Sequence, residues 1–128
     1  MLDSVTLLIF LLFAHLVGDV LVRPDIVKKY KAKSFLVMVF HCFTYAGTVS
    51  TFYFFYTDNI EYLGTKFMFL FATHFIIDGW SGIFNPVREW FRDDSIMVNW
   101  YHVVDQFLHG LVISGLVFLP NLFWEILV

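Results

Sequence analysis

Four long apolar runs separated by short polar stretches dominate the chain. They extend over about residues 3–22, 34–56, 61–80 and 95–119. Each run is close to the roughly 20 residues that a helix needs to cross the hydrocarbon core of a bilayer. Because a lipid-exposed strand would leave backbone groups unpaired, we interpret the β-branched and aromatic end of the second run as helix. The pattern predicts an all-α fold, a four-transmembrane-helix bundle that forms a single membrane domain over residues 1–128.

The polar stretches set the expected helix ends. Arg23-Pro24 closes the first run, Thr57-Asp58-Asn59 forms a turn after the second, and Pro120 interrupts the fourth. Between the third and fourth runs, Asn85-Pro86 has the pattern of a helix N-cap followed by proline at the first helical position. Apolar side chains within residues 87–91 then share one face. This predicts a short amphipathic helix that lies in the membrane interface.

Composition supports a membrane protein and excludes several other classes. The chain is 59% hydrophobic, with a mean hydropathy of +0.75, which exceeds what a soluble domain of this size buries. The net charge of -3, without a basic block or a glycine-rich phosphate loop, gives no indication of nucleic-acid binding. The single cysteine, Cys42, excludes an internal disulfide and a cysteine-rich metal site. The first run lacks a basic n-region and a cleavage site, so we expect a retained span.

The lysines and arginines predict the orientation. Seven of the eight basic residues lie in the loops after the first and third runs, and Lys66 is the exception. These two loops fall on the same side of a four-span protein, and positively charged loops favour the cytoplasm. We therefore expect an integral protein of the bacterial inner membrane with both termini outside.

Ionisable residues inside the apolar runs are the main candidates for function. Such residues are costly in hydrocarbon and usually mark a site. Seven of them are predicted at similar depth in the cytoplasmic half of the membrane: His15, Asp19, His41, His74, Asp78, Asp105 and His109. Six form His/Asp pairs with i,i+4 spacing, which places both members of a pair on one helix face. The spacing and depth predict that the four helices direct these residues at one centre.

The predicted centre fits a metal site. Four imidazoles and three carboxylates exceed the needs of one tetrahedral zinc and suit one or two Zn²⁺ ions, with Mn²⁺ or Fe²⁺ as alternatives. Asp19, Asp78 and Asp105 are the candidate catalytic carboxylates, since one of them would act as a general base on water activated by the metal. A hydrogen-bonded structural network and a proton or ion path are the competing interpretations of the same residues.

Several neighbouring residues have weaker expectations. Gln106 is predicted to make a hydrogen bond between helices or to contact a metal ligand from outside the site. His102, nearer the membrane surface on the face of Asp105, could contact a ligand or substrate, although an interfacial histidine is the commoner case. Arg88 and Arg92 could neutralise an anionic headgroup, although basic residues at these places also serve as topology anchors. A chain of 15.1 kDa with four spans leaves little room to exclude solvent from a site. A homo-oligomer is therefore a further expectation, and membrane lipid is the expected partner.

These motifs resemble the small bacterial and phage membrane proteins of the domain-of-unknown-function 3307 family. The resemblance rests on four motifs in the same order across nearly the whole chain: His15-x-x-x-Asp19, the isolated His41, His74-x-x-x-Asp78 and Asp105-Gln106-x-x-His109. Arg23 and Ser81 stand where that family commonly has a glutamine and a lysine. These departures concern substrate contacts and leave the seven expected ligands intact.

A more distant likeness to predicted membrane-bound metal-dependent hydrolases of bacterial inner membranes implies hydrolysis by analogy. The leading expectation is therefore a membrane-embedded metal-dependent hydrolase. Its substrate would be a lipid or a lipid-linked ester or phosphoester reached from the cytoplasmic side. Two alternatives stay open: a metal or proton transport element, and a non-enzymatic phage or host membrane effector with a structural metal.

Overall fold

The computed structural model describes residues 2–21, 30, 34–83 and 97–127. These residues form four main helices and one short one: α1 Leu2–Leu16, continued by a π-helical segment Val17–Leu21, then α2 Phe35–Thr57, α3 Leu63–Ile83, α4 Met97–Phe118 and α5 Asn121–Ile126. The predicted all-α fold with four main helices is confirmed. The interfacial helix expected near residues 85–93 lies outside the described residues.

The four main helices close into a bundle. Helix α1 packs against α2 and α4, and helix α3 packs against the same two helices. The turn between α2 and α3 begins at the polar residues Thr57-Asp58-Asn59, as predicted. Asp58 adopts the left-handed conformation with a φ of 48°, and its N–H donates to the carbonyl of Phe54 at 2.8 Å, a common way to end a helix. The side chain of Asn59 then accepts a 2.7 Å hydrogen bond from the N–H of Glu61.

The bundle has an apolar core in its middle and at the end that α5 closes. The buried apolar residues of this cluster are Leu11, Ala14, Tyr45, Ala46, Val49, Leu70, Ile113, Leu116 and Trp124. Trp124 reaches this core from α5 and is 1% exposed. Buried polar and charged side chains collect mainly at the opposite end of the bundle, so the fold separates a packed apolar end from a polar one.

The outer surface of the bundle is unusually apolar. Large apolar side chains such as Phe35, Leu36, Phe55 and Ile76 are exposed, each by more than 60%. Among the described residues, α2 is the one helix long and apolar enough to cross a membrane, while Val103–Phe118 within α4 is apolar but shorter. Length and composition thus give limited support for membrane association.

The π-helical segment packs closely against α2 at Gly18. A Cβ atom on Gly18 would lie 3.3 Å from Cδ2 of Tyr45 and 3.4 Å from Cβ of Thr48. The missing side chain therefore allows the segment to lie directly against α2. Asp19, the next residue, lies at the polar end of the bundle and is buried there.

Candidate metal centre

All four main helices contribute ionisable side chains to the polar end of the bundle. Asp19 comes from the π-helical segment, His41 from α2, His74 and Asp78 from α3, and His109 from α4. All five residues are buried. Carboxylates and imidazoles removed from water need compensating partners, because the free-energy cost of leaving them unpaired is several kcal/mol in order of magnitude.

Four ligand atoms converge at the centre of this group. Nε2 of His41 lies 3.3 Å from Oδ1 of Asp19, 3.3 Å from Oδ2 of Asp78 and 3.1 Å from Nε2 of His74. Nε2 of His74 lies 3.5 Å from the same Asp78 oxygen. Ligands of a tetrahedral zinc with metal–ligand distances of about 2.0–2.1 Å are separated by roughly 3.3 Å. The contacts of His41 with the other three atoms, and that of His74 with Asp78, therefore match the separation between ligands of a tetrahedral zinc.

Hydrogen bonds between neutral histidines account for these contacts only in part. If His41 donates to His74, the proton of His74 is on Nδ1, which is buried and has no hydrogen-bond partner among the described residues. If His74 donates, the unprotonated Nε2 of His41 faces oxygens of Asp19 and Asp78 at 3.3 Å. A divalent cation between the four atoms removes the repulsion between the Nε2 lone pair of His41 and the carboxylate oxygens, because each atom then acts as a ligand.

His109 is held as a metal-binding histidine usually is. Its Nδ1 lies 2.8 Å from the backbone carbonyl of Asp105 and donates to it. The proton is thereby assigned to Nδ1, so Nε2 carries a lone pair. That Nε2 atom is buried and has no hydrogen-bond partner in the described part of the chain. One ligand atom from each of His109, His74 and Asp78 lies within 4.8 Å of the others.

His15 and Asp105 belong to a separate hydrogen-bonded chain. Nε2 of Gln106 donates to Oδ2 of Asp105 at 3.2 Å, so the amide oxygen of Gln106 faces Nε2 of His15 at 2.9 Å. An amide oxygen only accepts, hence His15 Nε2 carries the proton. Nδ1 of His15 then accepts from the hydroxyl of Tyr45 at 3.1 Å. Both nitrogens of His15 are occupied by these two contacts, and the helix-to-helix role expected for Gln106 is confirmed.

Tyr45 connects the two groups and was not predicted from the sequence. Its ring stacks on the ring of His74, with centroids 3.8 Å apart and an interplanar angle of 16°. Its hydroxyl contacts His15, as described above. The available signal is the spacing His41-x-x-x-Tyr45, which places the tyrosine one turn from a candidate ligand on the same face of α2.

Comparison with known proteins shows how the chain is related. The family model described as "Protein of unknown function (DUF3307)" matches residues 7–125. The chain belongs to the DUF3307 family. No curated protein and no solved structure matches it. The DUF3307 match includes every candidate ligand from His15 to His109, so the centre lies wholly within the family's region.

The structure brings five of the seven candidate ligands of this DUF3307 protein into two overlapping groups. These are Asp19, His41 and His74, and His74, Asp78 and His109. His15 and Asp105 lie beside these groups in the hydrogen-bonded chain, and Oδ2 of Asp105 is 3.8 Å from Nδ1 of His109. Their role as ligands stays a prediction. Arg23, Arg88, Arg92 and the side chains of Ser81 and His102 lie outside the described part of the chain.

Proposed function

We propose that the protein is a membrane-embedded metal-dependent hydrolase that acts on a lipid or a lipid-linked ester or phosphoester. The observation that carries the proposal is the set of four contacts among Asp19, His41, His74 and Asp78, at 3.1–3.5 Å, which match the separation between ligands of one zinc ion. The two carboxylates would also neutralise a divalent cation. Such neutralisation is favourable in a buried site, where unpaired carboxylates are costly.

The donor set favours zinc. Two imidazole nitrogens and two carboxylate oxygens suit Zn²⁺, with Mn²⁺ or Fe²⁺ as alternatives, whereas Mg²⁺ prefers an all-oxygen shell. An ion of this kind supplies Lewis acidity, which activates water and polarises an ester or phosphoester. The His109 side chain, aligned by the backbone of Asp105 at 2.8 Å, adds a further nitrogen donor at the edge of the site.

Asp105 is the best placed of the three candidate catalytic carboxylates to exchange protons with solvent. Its side chain is 21% exposed, against 9% for Asp19 and 3% for Asp78. The amide of Gln106 holds one of its oxygens at 3.2 Å. In this proposal Asp19 and Asp78 would bind the ion, and Asp105, which lies beside His109, would carry protons between the site and solvent.

The distribution of side chains supports a membrane location. Charged and polar residues are buried at one end of the bundle, while large apolar residues such as Phe35 and Phe55 face outward. Extensive exposed apolar surface on a small protein is typical of contact with lipid. We propose that all four main helices span the bacterial inner membrane, with both termini outside and the metal centre in the cytoplasmic half, in keeping with the basic loops.

Hydrolysis can be tested on the purified protein in detergent. The chain would be stripped of metal, reloaded with Zn²⁺ and assayed with a nitrophenyl ester, a nitrophenyl phosphodiester and phospholipid vesicles. We expect turnover that chelation removes, and a decrease of roughly 100-fold or more in Asp78→Asn, because loss of even an outer contact to a metal ligand costs about 10–100-fold. The Val49→Ala variant changes a buried residue of α2 that lies about two helical turns from His41 and should retain activity. Turnover that is equal in Asp78→Asn and wild type would refute the proposal.

A structural metal is the second candidate function. The observation that favours it is that the four residues proposed to bind the first ion come from the π-helical segment that extends α1, from α2 and from α3, so that one ion would hold these three elements together. In that case chelation lowers the thermal midpoint of unfolding strongly, while no substrate on the panel is hydrolysed. A transport role fits less well, since the core beyond the site contains the apolar residues Leu11, Leu70 and Ile113.

A further inference from the structure

The nitrogen of His109 that faces away from Asp105 requires a partner. Its tautomer is determined by the 2.8 Å hydrogen bond from Nδ1 to the Asp105 carbonyl. The side chain is 1% exposed, so water cannot readily serve the Nε2 lone pair. A buried acceptor without a partner costs about 1–3 kcal/mol. An unprotonated, buried imidazole nitrogen binds a divalent cation well.

The surroundings of His109 supply the rest of a metal position. Its ring lies 4.5 Å from the ring of His74, and ligand atoms of His109, His74 and Asp78 are all within 4.8 Å of one another. Asp78 already places Oδ2 at 3.3–3.5 Å from the histidines of the first group. A carboxylate has two oxygens and can accept from different directions, so Asp78 can serve two ions.

We propose that the protein holds a dinuclear metal centre in which Asp78 bridges two divalent ions. The first ion lies among Asp19, His41, His74 and Asp78, and the second is bound by His109 Nε2 and Asp78, next to His74. The inference rests on the proposed metal centre. It adds a second position with fewer protein ligands, where more of the coordination shell is open to substrate or water. Paired ions of this kind stabilise the attacking and leaving oxygens of a displacement.

The second ion should bind more weakly than the first. Four protein ligand atoms surround the first position, whereas two residues supply ligands at the second. Titration of the metal-free chain with Zn²⁺ should therefore show two steps. Elemental analysis at saturating free Zn²⁺ should give about two ions per chain in wild type and one in His109→Ala. Gly110→Ala is the matched control, because a Cβ at Gly110 meets nothing within 4 Å, and it should keep two.

A spectroscopic measurement on the wild-type chain tests the bridging carboxylate directly. Loaded with Mn²⁺, a carboxylate-bridged pair gives a spin-coupled electron paramagnetic resonance spectrum, whereas a single ion gives an isolated six-line signal. We expect coupling in wild type and its loss in His109→Gln, which preserves side-chain volume better than alanine. One ion per chain in both wild type and His109→Ala, with no coupling, would overturn the second position and leave the first intact. No bound metal in wild type would overturn both.

Discussion

Tyr45 fixes the orientation of His74 at the residue scale. The stacked tyrosine ring, with its centroid 3.8 Å from that of the imidazole, restrains the plane of His74, whose Nε2 lies 3.1 Å from Nε2 of His41. The tyrosine is held in turn by His15, Gln106 and Asp105 through hydrogen bonds of 2.9–3.2 Å. Removal of a residue that orients a metal ligand typically lowers metal affinity by about 10–100-fold. The hydrogen-bonded chain from Asp105 to Tyr45 thus supports the orientation of His74 in the metal centre.

Two substitutions at Tyr45 separate its ring from its hydroxyl. Tyr45→Phe keeps the stack on His74 and loses the donor to His15, so Zn²⁺ affinity should remain within a few-fold of wild type. Tyr45→Leu loses the stack, and affinity should fall by about 10–100-fold. Competition with a chromophoric chelator in detergent measures both. Equal losses in the two variants would show that the hydroxyl, not the ring, controls the site.

The residue scale also shows the limits of prediction from spacing. Depth along each helix was enough to predict that Asp19, His41, His74, Asp78 and His109 meet, since every helix starts or ends near the same face. It could not predict that His15 turns to Tyr45 and Gln106, because those contacts depend on the rotation of one helix against another. The length of an apolar run does not show how a helix is rotated about its own axis.

At the scale of elements, polar breaks predicted the helices well. Thr57 to Asn59 and Pro120 mark the ends of α2 and α4 in the structure, within a residue or two. The π-helical segment Val17–Leu21 was not predicted, since its sequence has the same apolar character as the helix before it. A π turn has i→i+5 hydrogen bonds and is frequent at functional sites. Its wider turn changes the direction in which Asp19 points relative to His15.

The close contact at Gly18 makes the placement of this segment testable. In Gly18→Ala the new Cβ would lie 3.3 Å from Tyr45 and 3.4 Å from Thr48, so the segment must move away from α2 by a few tenths of an ångström. Asp19 moves with it, and we expect the Zn²⁺ affinity to fall several-fold. In Gly110→Ala the added methyl group has open space, so affinity should stay unchanged and stability should rise by up to about 0.5–1 kcal/mol. Equal affinities in the two variants would contradict this role of Gly18.

At the scale of the whole molecule, the two ends of the bundle differ in chemistry. At the end away from the metal centre, Lys66 is 4% exposed, and its ammonium group donates to the Tyr53 hydroxyl at 3.0 Å and the Glu61 carbonyl at 3.3 Å. It also lies 4.6 Å from the centre of the Tyr53 ring and 5.6 Å from that of Trp124. Cation–π contacts of this kind stabilise a partly desolvated charge. They join α5 to α2 and α3.

The proposed orientation can be checked from the two ends of α2. Cys42 is fully buried, so new cysteines can be labelled against little background. Asn59→Cys lies in the exposed turn after α2, and Ser34→Cys precedes that helix. In intact spheroplasts, a membrane-impermeant maleimide should label Asn59→Cys and should label Ser34→Cys only after lysis, because the basic loops favour the cytoplasm. The reverse pattern would invert the proposed topology.

The sequence string His-x-x-x-Asp encodes two different arrangements in this molecule. In α3 it brings His74 and Asp78 to 3.5 Å from each other. In the first helix the π-helical segment intervenes, and His15 contacts Gln106 while Asp19 contacts His41. The two copies of the motif are therefore not interchangeable. Placing the α3 motif in the first helix would reproduce its residues but not the arrangement of their side chains. A search for related sites by spacing pattern has to ask which helical geometry carries the pattern.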